Sequence, residues 1–156
     1  MSPYLDLLEI LLHEARLSDC AKLRFGAAAF DTAGEILALG HNHNPLPTEG
    51  YSCAVHCAGG IRKGVRSGTR VELCYAIHAE QHALLRAGGS AHEIAVAGIL
   101  PDRSVFDNGG GFYCTVCARL MAAAGVQFVS VWSKGERVRF TIAEAVEQSY
   151  RLATAP

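Results

Sequence analysis

The chain has 156 residues, half of them hydrophobic and 19% charged, with a formal net charge of −1. This profile fits one domain over residues 1–156 with its own core, and it argues against a basic surface made to hold a nucleic-acid backbone. No apolar run is long enough to span a bilayer, and the opening Met-Ser-Pro-Tyr-Leu-Asp has no basic leader region, so a cytoplasmic protein is expected.

Leu5, Leu8, Leu12 and Ala15 recur at helical spacing and predict a helix from Leu5 to Leu17. Phe25–Phe30 reads as a buried strand, Asp31–Gly34 as a turn, and Glu35–Leu39 as the returning strand of a hairpin. Residues 40–70 are rich in Gly and Pro and lack a period, which predicts a long functional loop. His78–Ala87 predicts a helix closed by Gly88-Gly89. Ile94–Leu100 reads as a short strand and Phe106–Tyr113 as a Gly-rich irregular segment. A helix over Cys114–Ala124, stopped by Gly125, and a strand over Val126–Trp132 follow. Thr141–Leu152 reads as an amphipathic helix with Thr141 as its N-cap and Glu144 in its first turn. The order α-β-β-α-β-α-β-α predicts an α/β fold, one mixed sheet flanked by helices.

Six cysteines punctuate the chain: Cys20, Cys53, Cys57, Cys74, Cys114 and Cys117. With no secretory leader expected, clustered thiols point to metal before disulfides. Cys114 and Cys117, three apart at a helix start, can both face one ion, and the positive end of the helix favours the thiolates zinc needs. His78 opens the other helix of this pair and offers a third ligand, which leaves the fourth tetrahedral position open, as in a catalytic site. Glu80, two residues on, is too close to co-ligate comfortably but is placed to move protons. Taken alone, Cys-x-x-Cys also suits redox or structural sites, and His-Ala-Glu also suits a solvated helix face. A non-catalytic zinc scaffold is the competing reading, and it has no use for Glu80.

His78-Ala79-Glu80 with Cys114-x-x-Cys117 resembles the signature of the zinc-dependent cytidine/deoxycytidylate deaminase superfamily. The likeness is nearest to deoxycytidylate deaminase-like proteins. Ser18-Asp19-Cys20, Phe25-Gly26-Ala27, Gly40-His41-Asn42 with Pro45, and the run Ser67–Cys74 leading into Ile77–Gln81 resemble their motifs. The resemblance implies a three-layer α/β/α sandwich with a central mixed sheet and a homo-oligomer. It also implies one catalytic Zn²⁺ on His78, Cys114 and Cys117, with Glu80 as proton shuttle. Asn42 is implied as a contact to the bound ring or sugar, and Ala79, Phe112 and Tyr113 are further candidate substrate-binding residues. Some relatives carry a second, structural zinc, for which Cys20, Cys53, Cys57 and Cys74 are the candidates, with His56 as a substitute ligand.

The chain departs from that pattern at several places. Tyr113 stands where the family usually has proline, His43 and Pro47 replace two loop glycines, and His82 replaces an asparagine. Less glycine means less room for a backbone to approach a ligand, which puts nucleotide contacts in doubt. Phe112, Tyr113 and Gly109, Gly110 and Gly111 would wall off a smaller pocket. The expected activity is hydrolytic deamination of a nucleobase-type ring. A free base or analogue (cytosine, an aminotriazine or guanine) is slightly favoured over deoxycytidylate, and no nucleic-acid or membrane partner is expected.

Overall fold

A computed structural model describes residues 3–46, Cys53 and residues 74–155. Its elements are α1 (Pro3–Ala15), β1 (Arg24–Phe30), β2 (Ile36–His41), α2 (Ala79–Arg86), β3 (Glu93–Ile99), α3 (Thr115–Ala123), β4 (Phe128–Ser133), β5 (Glu136–Thr141) and α4 (Ile142–Ala153). The sheet order is β2-β1-β3-β4-β5. Only the β3–β4 pair is parallel; the other neighbours run antiparallel.

Period-two alternation divides the buried residues between two faces. Ala27, Ala29, Ile94, Val96, Val129 and Val131 form one core with buried residues of α2, α3 and α4. Ala28, Phe30, Ala95, Ala97 and Trp132 form the other with Leu7 and Leu11 of α1. The result is the expected α/β/α sandwich. Small residues on the strands let the helices sit close. A Cβ on Gly26 would lie 2.0 Å from the Leu11 carbonyl oxygen of α1, and one on Gly40 would lie 2.3 Å from the Ala83 nitrogen of α2. Gly40 therefore sets how near α2, with His78 and Glu80 at its start, approaches the sheet.

The buried stripe of α1 is Leu7, Leu11 and Ala15, while Leu8 and Leu12 are only partly buried. The close approach at Gly26 centres the helix on Leu11. A fifth strand, β5, was not expected. It returns from β4 through Lys134 (φ 51°) and Gly135 (φ 78°), a two-residue turn of the kind that matches strand twist. Its alternate charged residues hid it, because Glu136, Arg137 and Arg139 break the apolar pattern that marks a strand. Arg137 and Arg139 both pair with buried Glu93, which also accepts a 2.6 Å hydrogen bond from Ser130. Much of the long loop expected over residues 40–70 lies outside the described residues.

Candidate metal centre and pocket

The N-termini of α2 and α3 meet, and the ligand candidates stand at those termini. His78 is the N-cap of α2, and its backbone N–H donates to the Gln81 side-chain oxygen at 2.9 Å. That bond is half of a capping box and fixes the backbone carrying the imidazole. Cys114 is the N-cap of α3, and its sulfur accepts the Cys117 N–H at 3.3 Å. The His78 Nδ1 lies 3.2 Å from the Cys117 sulfur and 3.3 Å from the Cys114 sulfur. All three ligand atoms thus lie within reach of one ion.

The electrostatics of this cluster suit a cation. Burial lowers the affinity of His78 for a proton, but the hydrogen bond and charge of Cys114 outweigh it and raise the ring pKa to about 9. Hydrogen bonding from Cys117 and the charge of His78 bring Cys114 down to about 4 against the opposing effect of burial. Cys117, sharing its proton with Cys114 in a buried position, is pushed up. The group is held together by positive charge between soft donors, and a divalent ion with zinc's preference for sulfur and imidazole fits that donor set.

Glu80 sits in the first turn of α2 with its side chain buried. Burial, and next the negative charge of Cys114, push its pKa up, against the pull of His78. A carboxyl held back from ionising beside three metal-type ligands is placed to accept and return a proton.

A cavity of about 310 Å³ opens onto this cluster. Its walls include Phe25, Val96, Phe106 and Phe112, and Asn42, Ala79 and Tyr113 line it as well. The four candidate substrate-binding residues therefore gather in one place. Phe112 is buried and Tyr113 exposed. The Phe112 N–H donates to the Gln148 side chain of α4 at 3.0 Å, which anchors the Gly-rich segment. Asn42 lines the cavity with its carboxamide already engaged: Oδ1 accepts from the Phe25 N–H at 2.8 Å, and Nδ2 donates to the Leu23 carbonyl at 2.9 Å. It braces the start of β1 as well as facing the pocket.

Sequence reading missed Asn108, which is buried on the cavity wall with an Oδ1 that has no partner among the described residues. The Asp107-Asn108-Gly109 turn was its only signal. Cys20 and Cys74 also line the cavity, and Cys53 is buried. These three do not gather into a metal-type group, whereas His41, His43 and His82 do. Cys57 and His56 lie outside the described residues.

The chain thus carries a buried glutamate and a His/Cys/Cys cluster at two helix N-termini, on a mixed sheet between helical layers, a fold found in solved deaminases. The particular likeness is to cytidine and deoxycytidylate deaminases. The apo structure of dCMP deaminase from the cyanophage S-TIM5 matches with a TM-score of 0.55 at 19% identity, over 98% of this chain and 95% of that one. The same enzyme in complex with dCMP and dUMP matches with a TM-score of 0.54 at 19% identity, over 96% and 94%. A mutant cytidine deaminase from Mycobacterium tuberculosis matches with a TM-score of 0.52 at 14% identity, over 89% of each chain. No protein-family model and no curated protein matches the chain by sequence. Among the described residues, no helix is long and apolar enough to cross a membrane.

Proposed function

We propose that this chain is a zinc-dependent hydrolytic deaminase that replaces the exocyclic amino group of a nucleobase-type ring with oxygen, taking up water and releasing ammonia. The observation that carries this reading is the buried Glu80 carboxyl beside His78, Cys114 and Cys117 at the end of an apolar cavity. His78, Cys114 and Cys117 would hold the zinc, which would supply the Lewis acidity that makes water nucleophilic near neutral pH. The chain does the rest. Glu80 takes the proton that water gives up and returns it to the departing nitrogen, so no net proton is gained or lost at the carboxyl. Its raised pKa serves both halves of that exchange. Phe25, Phe106 and Phe112 supply apolar surface for a flat ring, and Ala79, Asn42 and Tyr113 complete the wall.

Within this class we favour a free base or base analogue, because the wall is largely apolar, with Phe25, Phe106, Phe112 and Tyr113 on it, and His43 and Pro47 replace loop glycines. Deoxycytidylate is the second reading, favoured by Lys22 on the same wall, a cation of the kind a phosphate needs, and by the dCMP-bound S-TIM5 enzyme. A homo-oligomer formed by single-domain protomers is part of the proposal. The exposure of Ile36 and Leu37 on the edge strand β2, and of Leu85 on α2, supports it.

The test is ammonia release from cytosine, guanine, an aminotriazine, deoxycytidine and dCMP, with wild type and Glu80→Ala compared at equal zinc content. Release from a free base that is absent in the variant is the expected result. Release from dCMP alone selects the second reading, and release from none of them would overturn the proposed reaction.

A further inference from the structure

The outer edge of the sheet carries a second group of ligand-type side chains, apart from the cavity. His41 ends β2, His43 follows it, and His82 comes from α2. Their ring centroids lie 4.8, 5.1 and 4.5 Å apart. One ring nitrogen of each falls within 4.8 Å of the others. None of the three lines the cavity, and none belongs to the His78, Cys114 and Cys117 cluster. We propose that His41, His43 and His82 form a second metal site for a divalent ion of the zinc type, independent of the deaminase centre.

The hydrogen bonds around the rings prepare two of them to bind. The His41 Nδ1 meets the buried Glu14 carboxylate at 2.7 Å, and the His43 Nδ1 meets the His41 carbonyl at 2.9 Å. Both partners can only accept, so each Nδ1 carries a proton and Nε2 is the nitrogen left to serve as a ligand. A carboxylate or carbonyl behind the ring is the usual support of a metal-bound histidine, because it fixes the tautomer and raises ligand basicity. Glu14 is itself near Arg86, 3.9 Å away.

His82 is the gated third ligand. Its Nδ1 accepts the N–H of His41 at 3.1 Å, capping an amide of the edge strand. To ligate through one nitrogen it must give up that hydrogen bond, so it adds less affinity than the first two. The ring packs edge-on against both His41 and His43, and it ligates in its neutral form. Imidazole ligands suit zinc, nickel or copper rather than magnesium or calcium. An ion here would join β2 to α2, the helix that carries His78 and Glu80.

Zinc counting by plasma mass spectrometry tests the assignment on the full chain, loaded with zinc chloride and desalted. Wild type should hold one more zinc per chain than His43→Ala, which should keep the zinc of the His78 centre. Glu14→Gln leaves all three rings in place and should weaken zinc at this site about 10–100-fold in a competition titration. The His82→Asn loss should be smaller than that of His43→Ala. A second arm starts from Cys114→Ser/Cys117→Ser, where one zinc should remain and disappear when His43→Ala is added. Equal zinc in wild type and His43→Ala overturns the site. So does zinc in the second arm that survives His43→Ala, because it then belongs to other thiols. Neither arm depends on turnover, so the result is separate from the fate of the deaminase reading.

Discussion

Two histidines of α2, His78 and His82, stand one helical turn apart, and their neighbours give them opposite chemistry. His78 meets two sulfurs and is raised to about 9 by Cys114 despite its burial. His82 meets two other imidazoles and is lowered by burial and by their positive potential. In the metal-free protein the same kind of side chain is favoured as a cation in one cluster and as a neutral ring in the other. What a histidine can do is therefore set less by its place on a helix than by the charge of what the fold brings to it. At the α2–α3 junction the fold brings thiols on a helix N-terminus; at the sheet edge it brings a loop and a strand end.

The contrast is broken most severely at Glu80, which faces the first cluster and has no counterpart in the second. Glu80→Gln keeps the shape and removes the proton acceptor. It should lower turnover by about 10²–10⁴-fold while zinc content is unchanged, measured by ammonia release against metal analysis. Near wild-type turnover would remove Glu80 from the reaction.

Replacing Cys114 tests the electrostatic half directly. In metal-free Cys114→Ala the chief influence raising His78 is gone while burial remains, with only the weaker charges of Glu80 and Cys74 opposing it, so its ring should titrate well below about 9. The sign follows from the thiolate. His78 gains a proton in its presence, so the stability that the imidazolium adds is present at low pH and is lost as pH rises through about 9. In the variant that loss moves to lower pH. Imidazole NMR signals followed against pH measure it, and a His78 titration still near 9 would mean that another group raises it.

The part of this contrast that was legible in the sequence is the part made of short-range patterns. Cys114 and Cys117 are three apart at one helix start, where spacing puts them on one face, and the resemblance to a deaminase signature joins them to His78 and Glu80 at another. The sheet-edge cluster is assembled from His41 and His43 on one segment and His82 about forty residues away. His43 and His82 were noticed only as departures from a motif, since nothing local says that β2 and α2 are neighbours. Gly40, the residue that makes them neighbours, reads as one more glycine before a loop. The fifth strand was hidden for a related reason: Arg137 and Arg139 are charged because they answer Glu93 across the sheet, a partner no local pattern names.

Gly40 offers a way to disturb both clusters together. Ala79 and Ala83 of α2 lie against it, and an added methyl would meet the Ala83 nitrogen at 2.3 Å and the Ala79 carbonyl at 2.8 Å. Backbone cannot turn aside as a flexible side chain does, so Gly40→Ala must push α2 outward. Overpacking of this kind costs about 1–3 kcal/mol, read as a lower midpoint in urea unfolding with an unchanged slope. An unaltered midpoint would show that α2 is not held against β2 at this distance.

The gentlest intervention acts on one cluster alone. Gln81 is not one of the candidate ligands; its side-chain oxygen accepts the backbone N–H of His78 at 2.9 Å and so fixes the residue from which the imidazole projects. Gln81→Ala removes that bond and leaves the His78 ring, both sulfurs and Glu80 in place. A single neutral hydrogen bond is worth about 0.5–1.5 kcal/mol net, so stability should fall by no more than that amount. The effect on function should fall on the His78 centre, because a looser N-cap lets the ring wander from the two sulfurs. Zinc affinity there should drop by up to about tenfold, the equivalent of 1.4 kcal/mol. The binding of zinc by His41, His43 and His82 should not change, since none of them is hydrogen-bonded to Gln81 among the described residues. A chelator competition on the variant resolves the two centres: one should release zinc at lower chelator concentration and the other at the wild-type value. Equal loosening of both would mean that Gln81 supports α2 as a whole, and the two clusters would then share their support instead of being set separately by their neighbours.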